Sequence, residues 1–349
     1  MTSPTDAPQL RPGSATPTAR PHAPAEPSRP DSRPARPLWR SLVKLARPAQ
    51  WSKSAFVLIG PLYGLRDALQ LGASAQNIIL TSLLAAAAFA LVSSGCYVVN
   101  DIFDRVADRA HPRKRRRPLA SGDVSVRAGW IFALLLFAAA AVVTLLIGMP
   151  TMPWVALTLV LYALNVTLYS LYLKHQVIAD VMCLSLGFVL RVMGGCAAAG
   201  VEPSVWLLNV TFFLSMFLAF GKRLGERRTL AAEPGGAPEG RAVEHRRVQA
   251  GYTDALLQMA VVVTAVSTLM TYGSYLQIAG SRHVVGFNLM WLTMLPACYG
   301  MFRAIVMLER GRFDDPTELA VHDRPFQVAG FFFVALTLAI ELRGVPFPR

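Results

Sequence analysis

The sequence predicts an all-α polytopic membrane protein, built as a bundle of nine transmembrane helices. Of its 349 residues, 54% are hydrophobic and only 16% are charged. Several apolar stretches reach the roughly 20 residues that a helix needs to cross a bilayer. The basic residues are concentrated in the loops beside these stretches, as membrane topology requires. The net charge of +13 therefore reflects topology and does not predict a nucleic-acid partner.

The N-terminal region differs in composition from the rest of the chain. Residues 1–37 hold ten of the 24 prolines and have no signal-peptide hydrophobic region, so we predict a disordered Pro-rich cytoplasmic tail. In residues 38–50, Trp39 and Val43 share one helical face, and Arg40 and Lys44 share the other. This pattern favours an amphipathic helix lying on the anionic membrane surface. A plain start to the first membrane helix is the alternative.

Residues 51–345 are predicted to form the membrane domain, with cytoplasmic loops at 100–127 and 222–250. A cytoplasmic N terminus places every basic cluster on one side of the membrane, which supports an odd number of crossings. We predict crossings at approximately 51–66, 77–99, 128–149, 153–173, 177–199, 204–221, 251–278, 286–308 and 326–343.

Three carboxylates follow the second predicted crossing. Asp101, Asp104 and Asp108 are spaced by three and four residues, so on a helix they share one face, which Asn100 joins. Clustered carboxylates repel one another near a hydrocarbon boundary. A hard cation such as Mg²⁺, which takes oxygen ligands and bridges to phosphates, would resolve this repulsion. A solvated helix face is the alternative for the acidic spacing alone.

A basic run, residues 113–117, follows the acids and is succeeded by Pro118 and Gly122. Lys114 and Arg117 belong to this run, whose charge suits an anion of high charge density. Such a run also fixes membrane topology, which is the structural alternative. Acidic metal ligands beside a basic run form a pattern typical of diphosphate binding.

Other charged residues lie at the same predicted membrane face. Lys53 and Lys174 have two interpretations, anion binding or snorkelling from the membrane interface. Asp180 and Arg191 are eleven residues apart on one helical face, about 16 Å along the axis, so we expect both to line one cavity. Because a charge at the depth of Arg191 is costly, an interhelical ion pair is the alternative for it.

Two further charged motifs follow. Lys222 and Glu226 share a face, with Arg223 beside them, and an exposed i,i+4 pair is the alternative to a site role. Asp323 and Arg324 precede the last crossing, where capping is the alternative. The four cysteines and six histidines show no metal-binding spacing, which gives little support to a zinc site.

These motifs resemble the UbiA superfamily of intramembrane prenyltransferases, with NDIFDRVAD as the Asp-rich motif and RRRPLASGDVS as its continuation. GKRLGERR stands where most members carry a second Asp motif. Together with RPAQWSKS, YSLYLKHQVIAD, GFVLRVMGG and DPTELAVHDRPFQ, it makes the chain similar to one branch, the decaprenyl-phosphate phosphoribosyltransferases (decaprenylphosphoryl-5-phosphoribose synthases).

The resemblance implies a nine-helix bundle in a bacterial plasma membrane, with an active-site cavity facing the cytoplasm. It implies Mg²⁺-dependent transfer of 5-phosphoribose from 5-phosphoribosyl 1-diphosphate to a polyprenyl phosphate. The implied metal ligands and catalytic residues are Asp101, Asp104 and Asp108. The implied substrate-binding residues are Lys53, Asn100, Lys114, Arg117, Tyr169, Lys174, Asp180, Arg191, Lys222, Arg223 and Glu226.

Two other functions share parts of this pattern. A UbiA prenyltransferase acting on an aromatic acceptor would share the metal motif but would need the second Asp motif. A transporter would more typically carry its charges on broken helices at mid-membrane, whereas most charges here are predicted at one face. A homo-oligomer is compatible with the sequence.

Overall fold

The computed structural model describes residues 37–70, 72, 74–110, 114–232, 251–278, 283–284, 287–310, 319 and 321–342. The predicted disordered tail, apart from Pro37, lies outside these residues, as does most of the predicted loop at 222–250 and Arg113 of the basic run.

The chain is almost entirely helical in its described part, which confirms the all-α prediction. The α-helices are α1 (Leu38–Ala46), α2 (Ile59–Gln70), α3 (Ala75–Phe103), α4 (Arg105–Ala110), α5 (Pro118–Ser121), α6 (Val126–Leu145), α7 (Met152–Leu171), α8 (Ala179–Ala199), α9 (Val205–Ala232), α10 (Asp254–Ile278), α11 (Met294–Glu309) and α12 (Arg324–Leu342). Short 3₁₀ segments span Pro48–Leu58, Lys114–Arg116, Leu173–His175 and Leu289–Thr293. Two strands, β1 (His283–Val284) and β2 (Phe287–Asn288), form an antiparallel hairpin.

Within the described residues, seven helices are long and apolar enough to cross a membrane, which confirms a multi-pass protein. They correspond to the second through eighth predicted crossings. At the first predicted crossing, the 3₁₀ segment Pro48–Leu58 runs into the short helix α2. At the last, the apolar helix stretch Arg324–Ile340 is shorter than the roughly 20 residues that a crossing needs. The count of nine crossings therefore stays a prediction.

Three helix ends differ clearly from the predicted boundaries. Helix α9 continues to Ala232, eleven residues beyond the predicted end, so Lys222, Arg223 and Glu226 lie on a helix rather than in the predicted loop at 222–250. Helix α3 continues to Phe103, four residues beyond the predicted end, so Asn100 and Asp101 belong to the membrane helix itself. Helix α6 ends at Leu145, before Gly148, whose φ of +78° favours glycine and leaves the helical conformation.

Helix α3 lies at the centre of the bundle, because it packs against α6, α7, α8 and the 3₁₀ segment Pro48–Leu58. A buried apolar core joins α3, α7 and α8 and includes Phe89, Val92 and Tyr162. A second core joins α9, α10 and α11 and includes Phe217, Leu257 and Met307. The acidic motif therefore lies at the end of a helix that packs against several others.

Two glycines of α8 allow close packing. A Cβ on Gly195 would lie 1.7 Å from the carbonyl oxygen of Val57, and one on Gly194 would lie 2.3 Å from the Phe89 ring. Small residues let helix backbones approach closely in membrane bundles. Gly195 thus seats the 3₁₀ segment that carries Lys53 directly against α8.

Candidate active site

The acidic motif occupies the end of α3 and the short helix α4. Asn100 and Asp101 lie in the last turn of α3, Asp104 is at the junction, and Asp108 lies in α4. The Asp104 backbone N–H donates to the Asn100 carbonyl oxygen (2.9 Å), and the Asp108 N–H donates to the Asp104 carbonyl oxygen (2.8 Å). Helical hydrogen bonding therefore continues across the junction.

Asp101 and Asp108 are both buried and bind the same guanidinium nitrogen. Arg117 Nη1 donates to Asp101 Oδ1 (3.2 Å) and to Asp108 Oδ2 (2.8 Å). Arg47 Nη2 also donates to Asp101 Oδ1 (2.5 Å), and its guanidinium lies 4.8 Å from the centre of the Tyr97 ring. The two acids thus converge on one cationic group.

Asp104 has different partners. Lys174 Nζ, from the 3₁₀ turn after α7, donates to Asp104 Oδ1 (3.1 Å), and Asn100 Nδ2 donates to Asp104 Oδ2 (3.0 Å). Lys174 and the acidic motif are 70 residues apart in sequence. The contact therefore joins two of the predicted site motifs across the bundle.

The basic run divides into residues that meet the acids and residues that do not. Burial and the Arg117 charge lower the pKa of Lys114, while Asp108 and Asp104 partly oppose that shift. Lys114 therefore lies within electrostatic reach of both acids. Arg115 and Arg116 are exposed. The 3₁₀ turn Lys114–Arg116 thus directs only part of the run towards the acidic motif.

The carboxylate oxygens of this cluster are suitable ligands for a hard divalent cation. The three carboxylates do not, however, converge on a single point. A positively charged nitrogen lies within 3.2 Å of two buried carboxylates, which is a position suited to a cation. Within the described ranges, no group of three His, Cys, Asp or Glu residues is arranged to hold a metal. Metal binding by all three acids would require Arg47, Arg117 and Lys174 to move away.

A second cluster surrounds Asp180, which is fully buried (0% exposed) at the start of α8. Its carboxylate accepts hydrogen bonds from Arg223 Nη2 of α9, from the Tyr252 hydroxyl (2.7 Å) and from the Val181 N–H (2.7 Å). The Tyr252 hydroxyl also accepts from the N–H of Ile178 (2.7 Å). The structure therefore brings two of the predicted binding residues, Asp180 and Arg223, into direct contact.

Tyr252 and Ile178 form an unusual junction in this second cluster. Burial, with the neighbouring Asp180 carboxylate, raises the pKa of Tyr252 to about 12. Ile178 has a φ of +71°, which is a genuine outlier for a β-branched residue. Tyr252 thus satisfies a backbone N–H at a strained position.

Arg191 lies apart from Asp180, on the same helix but deeper in the bundle. It is 4% exposed, and its Nη2 donates to Ser93 Oγ (2.9 Å) and to the Tyr162 hydroxyl (2.7 Å). No salt bridge to Arg191 is found among the residues described. Neither a shared contact with Asp180 nor an interhelical ion pair is therefore observed.

The other predicted binding residues are placed as follows. Lys53 is half-buried in the 3₁₀ segment Pro48–Leu58, and Tyr169 of α7 lies within electrostatic reach of Asp180 and Arg223. Lys222 is exposed and Glu226 half-buried on α9. The structure thus brings Tyr169 to the second cluster.

Asp323 has the contacts of a helix cap. Its carboxylate accepts from Arg303 Nε (3.1 Å) and Nη2 (2.8 Å) and from the Phe326 N–H (2.9 Å) at the start of α12. Arg324 is exposed. These contacts favour capping over a site role for Asp323.

The sequence did not predict three residues that contact the two clusters, namely Arg47, Tyr97 and Tyr252. Arg47 lies within the RPAQWSKS motif, but its sequence position suggested only the basic face of an amphipathic helix. Its φ of +53°, at the end of α1, turns the chain so that its guanidinium reaches Asp101. Tyr252 lies in no motif, and its role depends on contacts with residues more than 70 positions away.

The chain is similar to known proteins along most of its length. Residues 58–336 match the model of the UbiA prenyltransferase family. The decaprenyl-phosphate phosphoribosyltransferase of Mycolicibacterium smegmatis is 32% identical over 314 residues, which cover 87% of this chain and 93% of the relative. The enzyme of the same name from Corynebacterium glutamicum is 32% identical and covers 91% of each chain.

A solved structure shares the fold. The UbiA homologue from Archaeoglobus fulgidus, bound to GPP and Mg²⁺, superposes with a TM-score of 0.58 at 17% identity, covering 86% of this chain and 99% of that one. At this identity the likeness concerns the fold alone.

Proposed function

Because the chain belongs to the UbiA prenyltransferase family, we propose that it transfers 5-phosphoribose from 5-phosphoribosyl 1-diphosphate to a polyprenyl phosphate and releases diphosphate. The observation that carries this proposal is the similarity, at 32% identity over nine-tenths of the chain, to a relative named for that reaction on decaprenyl phosphate. The cluster of acids and bases at the end of α3 supports it, because such a cluster suits a diphosphate and its counter-cation.

The acidic motif would hold Mg²⁺, with Asp101, Asp104 and Asp108 as ligands and Asn100 in support. Bound there, the cation would supply Lewis-acid stabilisation of the leaving diphosphate. The charges that now engage the acids would take a second role. Arg117, which contacts Asp108, and Lys114, whose pKa is influenced by Asp108 and Asp104, would bind phosphate oxygens as charge-assisted donors.

The remaining residues are proposed to bind and orient the substrates. Lys222 and Arg223 would bind the phosphates of the sugar donor, and Lys53 and Lys174 the lipid phosphate or the donor. Asp180 and Glu226 would bind ribose hydroxyl groups or orient these cations. Tyr169 and Arg191 complete the proposed substrate-binding set.

The reaction requires no strong general base. An oxygen of the lipid phosphate, already anionic, forms a bond to the anomeric carbon, and the bond from that carbon to the diphosphate breaks with its electron pair. Catalysis then depends on positioning the two substrates and on stabilising the departing charge. We place the site at the cytoplasmic face of a bacterial plasma membrane, where the soluble donor is available.

Prenyl transfer to an aromatic acceptor is the second candidate, because it is the activity for which the family is named. In this chain GKRLGERR replaces the second acidic motif that such enzymes carry, and Arg223 from it binds Asp180. The two candidates differ in their donor substrate, so one experiment separates them.

That experiment supplies purified protein with Mg²⁺, polyprenyl phosphate and radiolabelled 5-phosphoribosyl 1-diphosphate, and measures labelled lipid. We expect transfer by the wild type and a loss of about 100-fold or more in Asp101→Asn, which keeps the shape of the side chain but removes its charge. Asp123→Asn, an exposed acid in the same loop, is the matched control and should keep its activity. A prenylated phenol formed from prenyl diphosphate, without labelled lipid, would establish the second candidate instead.

A further inference from the structure

Arg191 is a buried cation in the interior of the bundle, surrounded by hydroxyl and aromatic groups. Ser93 of α3 and Tyr162 of α7 accept from its Nη2, and the faces of Tyr162 and Phe188 lie 4.5 and 5.7 Å from its guanidinium carbon. Across the part of the chain that the structure describes, no carboxylate pairs with it. Arg191 thus has neutral partners only.

This group of three side chains has more hydrogen-bond donors than acceptors. The Nε–H of Arg191 is buried and has no hydrogen-bond partner within the described residues. The Tyr162 oxygen already accepts from Arg191 (2.7 Å) and from the Ser93 hydroxyl (3.0 Å). An incoming anion would therefore meet a positive charge with a free N–H.

A purely structural role explains this arrangement poorly. An ionised side chain within a membrane bundle is costly unless it is paired. Contacts with a tyrosine and a serine could hold three helices together equally well through a neutral amide. A substrate that brings an anionic group to Arg191 would supply the counter-ion that this guanidinium lacks among the described residues.

The position of the group relative to the acidic motif indicates which substrate. Ser93 and Asp101 are both on α3, eight residues apart, which places Arg191 about 12 Å deeper than the acids. In a single displacement at a sugar carbon, the entering and leaving groups lie on opposite faces of the ring. With diphosphate bound at the acids, the entering phosphate would approach from the side of Arg191.

Resting on the function proposed above, we infer that Arg191, with Ser93 and Tyr162, binds the phosphate of the acceptor lipid. The aromatic ring of Phe188, which is half-buried beside the guanidinium, suits the first isoprene units of the lipid. This inference also separates the roles of two cations. Lys174, which contacts Asp104, then belongs to the diphosphate end of the site.

Binding, measured without turnover, tests the inference. Three probes are titrated into purified protein: farnesyl phosphate, farnesol, and diphosphate with Mg²⁺. We expect Arg191→Met to weaken farnesyl phosphate binding by about 10- to 100-fold, the effect of losing a charge-assisted hydrogen bond, and to leave the other two affinities unchanged. Arg310→Gln, which removes an exposed cation elsewhere, is the matched control and should bind all three as the wild type does.

Two results would overturn the inference. One is wild-type affinity of Arg191→Met for farnesyl phosphate. The other is a parallel loss of farnesol binding, which would indicate a structural role. If wild-type protein transfers no phosphoribose but its farnesyl phosphate binding still depends on Arg191, the proposed function fails while the phosphate subsite stands.

A second pair of variants covers the case in which Arg191→Met does not fold. Tyr162→Phe and Ser93→Ala each remove one neutral partner of the guanidinium and keep the charge. We expect each to weaken farnesyl phosphate binding by about 3- to 10-fold without affecting farnesol. Equal effects on both probes in these variants would contradict the inference.

Discussion

Gly195 gives the sharpest test of how the 3₁₀ segment Pro48–Leu58 is held against α8. In Gly195→Ala, the new Cβ would lie 1.7 Å from the carbonyl oxygen of Val57 and 2.8 Å from its carbonyl carbon. Real Cβ contacts are essentially never closer than 3.0 Å, so the two backbones must separate by at least about 1 Å. Because the obstructing atoms belong to the backbone, no side-chain rotation can relieve the overlap.

The size of the effect follows from two opposing terms. Overpacking of this kind costs about 1–3 kcal/mol, and the rigid neighbour places it at the upper end. Replacing glycine by alanine within a helix otherwise stabilises by about 0.5–1 kcal/mol. Gly187→Ala on the same helix is the matched control, because its Cβ would meet Asn165 and Tyr162 at an ordinary 3.6 Å. We expect the two variants to differ in stability by about 3 kcal/mol.

Thermal unfolding in detergent, followed by tryptophan fluorescence, measures this difference. For a chain of this size, with an entropy of unfolding of about 2.1 cal/mol/K per residue, about 3 kcal/mol corresponds to an unfolding temperature about 4 °C lower in Gly195→Ala than in Gly187→Ala. Equal unfolding temperatures would refute the close packing of the 3₁₀ segment on α8. They would also remove the structural reason for placing Lys53 near that helix.

Two further predictions concern the polar clusters. Because its pKa is lowered, Lys114 loses its charge at a lower pH than an ordinary lysine. We therefore expect the KM for the sugar donor to rise as the pH becomes alkaline. Lys114→Arg, which stays protonated, should move that rise to higher pH. An unchanged alkaline limb in the variant would exclude Lys114 from donor binding. Tyr252→Phe should lower the free energy of unfolding by about 1–3 kcal/mol, because it leaves the Ile178 N–H without its acceptor and Asp180 without one donor. Wild-type resistance to thermal unfolding in this variant would contradict that role.

The parts of the fold that sequence predicts best are those with a local physical cause. The long apolar helices follow from segment length, and the common face of the acids follows from spacings of three and four residues. The first and last crossings are less clear for equally local reasons. Pro48 begins a 3₁₀ segment rather than an α-helix, and the last apolar helix is short.

The partners of the site residues could not be read from local patterns. Arg191 meets Ser93 and Tyr162, which are 98 and 29 residues away and lie on two other helices. Sequence periodicity shows which face a residue occupies but not which side chain faces it across the bundle. Arg47 shows the same limit, because it reaches Asp101 only after the chain turns through a left-handed conformation.

The salt bridges of the acidic motif have a consequence for how ligands reach it. Asp101, Asp104 and Asp108 are matched by three basic side chains, Arg47, Arg117 and Lys174. The basic run adds Lys114 and the exposed Arg115 and Arg116 to these matched pairs, so this end of α3 carries an excess of positive charge, and long-range attraction favours the capture of an anionic substrate. A multiply charged sugar donor would be drawn to the site by this excess charge and would gain its final affinity on contact, where its phosphates exchange counter-ions with Arg47, Arg117 and Lys174.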